Sequence, residues 1–210
     1  GLAHRRLAII DLDDRSDQPM ISTSGRYVIV FNGEIYNYKN LRKELLEKNI
    51  DLKTYSDTEV ILELFSLYGE NSLKKLQGMF AFAIWDKISN KLFMARDPYG
   101  IKPLYFSKTD RGYIVASQVR AILSTGIVSR DPCPYGQGGY WLLGSVPEPY
   151  TWFRNIEALP SGNYMWIDKN SAKKKIWHSI ADSWSKEKTM PDRVKLEKHV
   201  QKALHHSVEK

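Results

Sequence analysis

Arg6, Glu34 and Asp57 supply one guanidinium and two carboxylates. That is the set needed to grip both ends of a free α-amino acid, since the guanidinium suits its carboxylate and the acids suit its ammonium. Beside Glu34, the Asn32 side-chain amide and the Gly33 backbone N–H are two donors suited to an oxyanion, such as amide hydrolysis generates. That chemistry also needs a nucleophile. The one thiol, Cys133, sits in Asp131-Pro132-Cys133-Pro134, remote from the Asn-Gly pair, and reads as an incidental loop cysteine. Plainer readings stand beside each of these. Asn-Gly after a strand is a turn signal, and an acid just after Ser56 is what helix starts favour. Arg6 next to His4 and Arg5 fits an exposed basic edge. His4 reads as a core or hydrogen-bonding histidine, because no second metal ligand lies at a suitable spacing.

The elements that must position these residues follow from periodicity. Leu7 to Leu12 is strand-like, and Tyr27 to Phe31 is β-branched and aromatic, a buried strand that Asn32-Gly33 is expected to end. Leu41, Leu45 and Leu46 predict an amphipathic helix from about Lys39 to Lys48. Ser56-Asp57-Thr58-Glu59 has a capping-box pattern ahead of Val60, Ile61, Leu64 and Leu67, with Gly69 as the stop and a short helix following over Ser72 to Leu76. Phe80 to Trp85, Leu92 to Ala95, Leu104 to Phe106 and Tyr113 to Ala116 read as four strands. Their short connections imply antiparallel neighbours. Val119 to Leu123 reads as a short helix, residues 132–150 as loop-rich, and Tyr164 to Ile167 with Ile176 to His178 as a last hairpin. Ala181 to Asp192 reads as a linker, before a final helix whose stripe (Leu196, Val200, Ala203, Leu204, Val208) is expected to pack on something downstream. Helices beside an antiparallel meander make the fold class α+β.

The 210 residues are 42% hydrophobic, enough for one sizeable core. Charged residues break every apolar run, so no membrane span is expected. One cysteine excludes an intrachain disulfide, and with no export signal the expected location is cytoplasmic. The formal charge of +7 is concentrated in residues 168–210, which carry eleven Lys or Arg against six Asp or Glu. With no nucleic-acid-binding signature beside it, this basicity reads as a solvated tail and nucleic acid is not an expected partner.

Several words resemble the glutamine-hydrolysing domain of asparagine synthetases. They are Leu2-Ala3-His4-Arg5-Arg6-Leu7 with Ile9-Ile10-Asp11, Gln18-Pro19-Met20, Phe31-Asn32-Gly33-Glu34-Ile35-Tyr36-Asn37 and Ser56-Asp57-Thr58-Glu59-Val60. Gly78-Met79-Phe80-Ala81-Phe82-Ala83, Ala95-Arg96-Asp97, Gly100-Ile101-Lys102-Pro103-Leu104-Tyr105 and Ala116-Ser117 continue in order, as does the looser stretch from Thr151 to Gly162. The resemblance implies an N-terminal-nucleophile hydrolase fold, an αββα sandwich of two antiparallel sheets between helical layers, with early strands missing. It implies that Arg6 clamps the glutamine carboxylate, with Leu7 and Ile9 lining that wall. Glu34 and Asp57 would hold the ammonium, and Asn32 and Gly33 would form the oxyanion hole. Glutamine would be split to glutamate and ammonia through a thioester on an N-terminal cysteine upstream of Gly1.

The resemblance further implies residues 1–180 as the amidotransferase domain and 181–210 as a linker and first helix of an ATP-dependent synthetase half. This chain is then expected to need no cofactor or metal, with ATP and Mg belonging to the synthetase half, and the 210 residues alone are expected to be inactive. Expected partners are glutamine and the downstream domain, with a homodimer allowed and no membrane. Gln118, the turn Asp97-Pro98-Tyr99-Gly100 and the segment Gly144 to Pro149 depart from the usual pattern and put the acceptor in doubt. The alternatives are a paralogue of polysaccharide or natural-product pathways with another acceptor, or a non-hydrolytic scaffold as in β-lactam-synthetase-like proteins. A third reading is a non-enzymatic glutamine-binding or interaction domain.

Overall fold

Met20–Ile21 (β1), Tyr27–Ile35 (β2), Gly78–Asp86 (β3) and Lys91–Arg96 (β4) form most of a six-stranded sheet. Tyr105–Thr109 (β5), Gly112–Ala116 (β6) and Glu157–Ala158 (β7) form a second sheet of three strands, in the order β6-β5-β7. Asn163–Ile167 (β8) and Ala172–Ile176 (β9) complete the first, whose order is β1-β2-β3-β4-β8-β9. All pairings are antiparallel. The helices are Tyr38–Glu47 (α1), Asp57–Tyr68 (α2), Val119–Ser124 (α3), Pro134–Leu143 (α4), Ile180–Trp184 (α5) and Arg193–Val208 (α6). This computed structural model describes residues 1–5, 11, 13–169, 171–184 and 192–208.

Two compact units are present, residues 1–178 and 179–210. In the first, one face of the large sheet packs on α1 and α2 through Phe31, Leu41, Leu45, Leu64, Phe65 and Phe93. Its other face meets the small sheet through Ala81, Ala83, Met94, Leu104 and Phe106. The small sheet's outer face is covered by α3 and the Val128 and Ile156 segments. The layering is therefore helix, sheet, sheet, helix, as expected. The second unit holds α5 and α6, and α6 has no buried residue. Among the described residues no helix is long and apolar enough to cross a membrane.

Phe65 is the packing centre of the first layer. It is 2% exposed, its ring lies 4.7 Å from Phe93 and 6.0 Å from Trp166, and Tyr27 meets its edge at 5.4 Å. Truncating a buried Phe removes apolar area and leaves a cavity. Phe65→Ala is therefore expected to cost about 3–5 kcal/mol, read as a lowered urea midpoint at unchanged slope.

Several expectations are corrected. Residues 132–150 are not all loop, since α4 runs through them. Pro134 sits at its first turn, and left-handed Gly144 (φ 73°) ends it. The last hairpin's second strand is not Ile176 to His178 but the lysine-rich β9, an exposed edge strand whose charges suit an unpaired edge. The Asp97–Gly100 connection does not join neighbours, because β4 and β5 lie in different sheets. In the predicted linker, α5 covers 180–184 and 185–191 lie outside the described residues; of the Leu7 to Leu12 strand only Asp11 is described.

Candidate active site

The Asn-Gly pair does not end its strand. β2 continues through Asn32, Gly33 and Glu34 to Ile35, each paired in register with β3 (Asn32↔Ala81, Gly33↔Phe80, Glu34↔Met79). Gly33 makes this register sterically allowed. Its φ is +156°, and a Cβ there would overlap the Met79 carbonyl oxygen and stand 2.8 Å from Phe80 Cα. Local turn chemistry therefore loses to long-range pairing.

Strand alternation then sorts the candidate groups. Asn32 lies opposite Ala81, which faces the small sheet, so the Asn32 side chain points between the sheets. There it lines a cavity of about 150 Å³ with Val30, Ala81, Ala83, Leu104 and Ala116. The small side chains of Ala81 and Ala83 leave that space open. Glu34, two residues on, is half-buried on the same face. On the outer edge of β2, away from β3, Phe31 N–H donates to Gln18 Oε1 (2.6 Å) and Ile35 N–H to Asp57 Oδ2 (3.1 Å). Alternation sends the Gly33 N–H to that same edge, between the two. There it meets no side-chain acceptor among the described residues.

Asp57 reaches β2 because α2 starts there. The Ser56 hydroxyl caps the helix by accepting from Thr58 N–H at 3.1 Å. The capping box is only half realised. Glu59 turns instead to the preceding segment and accepts from Lys53 N–H and from Thr54 N–H and Oγ1, each at 2.8 Å. Asp57 is 5% exposed. Burial pushes its carboxyl above the ordinary aspartate range and the Glu34 charge adds to this, while the N–H groups of Ile35 and Thr58 pull it down. The bond to Ile35 N–H sets Asp57 beside the residue next to Glu34, although 22 residues separate Asp57 from Ile35. Among the described residues neither Glu34 nor Asp57 makes an ion pair.

Asn32, Gly33, Glu34 and Asp57 thus gather at one end of β2 and the start of α2. Arg6, Leu7 and Ile9 lie outside the described residues. Cys133 is buried as the N-cap of α4 and does not line the Asn32 cavity. Gln18 was not singled out for a role from the residues alone. It seals the β2 edge and also donates to Thr58 Oγ1 at 3.3 Å, joining the strand to the start of α2. Its only signal in the sequence was the Gln-Pro-Met word. Among the described residues no cluster of three or more His, Cys, Asp or Glu could hold a metal.

Comparison with known proteins fits this arrangement. A family described as "Glutamine amidotransferase domain" matches residues 1–178. Asparagine synthetase [glutamine-hydrolyzing] 1 of Bacillus subtilis is 39% identical over 168 residues, covering 80% of this chain and 26% of that protein. A putative asparagine synthetase [glutamine-hydrolyzing] 2 of Methanocaldococcus jannaschii is 31% identical, covering 99% of this chain and 42% of its own length. The chain therefore spans well under half the length of these curated relatives. Among solved structures, a glutamine phosphoribosylpyrophosphate amidotransferase from B. subtilis shares the fold with a TM-score of 0.59 at 24% identity, over 84% of this chain and 34% of that one. The sandwich of two antiparallel sheets is the fold of that solved amidotransferase. The chain belongs to the glutamine amidotransferase domain family.

Proposed function

We propose that this domain binds free glutamine at the end of β2 and hydrolyses its side-chain amide, supplying ammonia within an asparagine synthetase-type polypeptide. One observation carries the reading. Glu34 and Asp57 are brought together, one of them buried, with no described cation to balance them. Burying an acid with no cation beside it is costly, and an α-ammonium would supply that cation. Asn32 Nδ2 and the outward Gly33 N–H then stand as donors for the oxyanion of the tetrahedral intermediate. Arg6 would meet the α-carboxylate with Leu7 and Ile9 beside it, as the resemblance implies.

By the same reading the attacking thiol is an N-terminal cysteine and not Cys133, whose place at the α4 N-cap is away from Asn32. Aspartate is proposed as the acceptor of the ammonia, with ATP and Mg used by the synthetase portion, in the cytoplasm. The names of the curated relatives support the acceptor, and their greater lengths support a further portion.

Glutamate release by the complete gene product tests the reading. Glu34→Gln removes one of the two charges facing the ammonium, so KM for glutamine is expected to rise on the order of tenfold. A charge-assisted hydrogen bond is worth about 1.5–3 kcal/mol, so unchanged KM in this variant would remove the ammonium role.

A further inference from the structure

The surface around α4 is built to be covered. Residues 134–146 contain no charged side chain, yet Trp141 is 78% and Leu142 85% exposed, with Tyr135 and Leu143 close behind. The rings form two clusters: Tyr135 stacks on Tyr150 at 5.3 Å, and Tyr140 meets Trp152 at 5.5 Å and Trp141 at 5.7 Å. Nor is this a loose segment. A Cβ at Gly136 would overlap the Thr151 carbonyl, and one at Gly139 would overlap the Pro147 ring, so the helix backbone lies directly on the 147–151 segment. The Cys133 N–H donates to the Trp152 carbonyl at 3.0 Å. Glu148, in the same segment, is ion-paired to buried Arg96 of β4. Two aromatic and two leucine side chains are thus presented rigidly and without charge, the make-up of an interface core and not of a solvated face.

We infer that this face docks the portion of an asparagine synthetase-type polypeptide that lies outside the matched segment. This rests on the proposed function. Three observations favour that occupant. The curated relatives carry 58–76% of their length beyond the matched part, because the chain covers only 24–42% of the synthetases among them. Residues 134–146 offer no charge to select a transient partner, and charge depletion of this kind marks permanent interfaces. Its helix is tied through Glu148 and Arg96 to the row that holds Asn32, since Arg96 lies opposite Ala81, and Ala81 opposite Asn32.

Hydroxyl-radical footprinting read at Trp141 tests this, on the 210-residue chain and on the complete gene product, with sedimentation of both. Oxidation of Trp141 is expected to fall about five-fold or more in the complete product, as a side chain 78% exposed becomes core-like. The 210-residue chain should be fully oxidised at concentrations where it sediments as a monomer. Equal oxidation in the two proteins overturns the inference. So does protection in the 210-residue chain that accompanies dimerisation and is lost in Trp141→Lys, which would assign the face to a second copy. Glutamate release measured alongside separates the two readings: protection without glutaminase activity sinks only the proposed function, and activity without protection sinks only the docking.

Discussion

Gly33→Ala is expected to destabilise the native fold by about 2–6 kcal/mol. The added methyl would overlap the Met79 carbonyl oxygen and approach both Phe80 Cα and Phe31 Cε2 within 3 Å, and two of these three obstacles are backbone of the paired strand. A flexible side chain could swing aside, whereas β3 cannot, because it is held by β2 along nine residue pairs and by β4 along six. The φ of +156° adds strain for any L-residue. Overpacking and backbone strain each cost about 1–3 kcal/mol, so together they consume much of the roughly 5–15 kcal/mol that holds a domain folded. Gly25→Ala is the control. Its φ of +72° is also left-handed, but nothing lies within 4 Å of the new methyl, so only about 1 kcal/mol of strain is expected. Urea midpoints should separate the two variants widely. Equal midpoints would mean that β2 does not run past Phe31 in solution, and the oxyanion geometry would fall with it.

That variant also marks where sequence reading succeeds and where it stops. The strands made of Val, Ile, Phe and Tyr were legible because composition and pairing agree. Asn32-Gly33 reads as the end of its strand, because local chemistry favours a turn while the glycine serves close approach to β3. The stretch that holds α4 reads as loop-rich for a related reason: its prolines and glycines look like breakers, yet Pro134 starts the helix and Gly136 and Gly139 are packing contacts. β9 was displaced because Lys173, Lys174 and Lys175 lack the apolar alternation of a half-buried strand, and an edge strand with every residue exposed needs none. At the site, donor and acid types were legible one by one. Their meeting was not, since nothing local says that the start of α2 lies against the Ile35 N–H. The resemblance supplied that link, and the β2 edge gives its physical cause.

Asp57→Asn is expected to stabilise the apo protein while crippling glutamine use, and the sign of the first effect decides between two accounts of the residue. If Asp57 is there to start a helix, its charge favours the α2 N-terminus and the amide should cost stability. The buried setting argues the other way. Burial is the largest influence on its carboxyl and raises it, with the Glu34 charge acting in the same direction. An acid whose folded pKa exceeds its ordinary value of 3.8 binds more protons folded than unfolded in that window, so stability falls as pH climbs through it. Above the window the full penalty persists. Asn keeps an acceptor for the Ile35 N–H and carries no charge, so at pH 7 the Tm is expected to rise by about 3 °C. The gain should shrink as pH is lowered through the window, vanishing where wild-type Asp57 is protonated in both states. In the complete gene product, loss of this charge-assisted contact to the ammonium should raise KM for glutamine on the order of 10- to 100-fold. A variant less stable than wild type at every pH, with KM unmoved, would make Asp57 a helix cap and nothing more. Stability gained where binding is lost is the signature of a group held at a cost for its ligand.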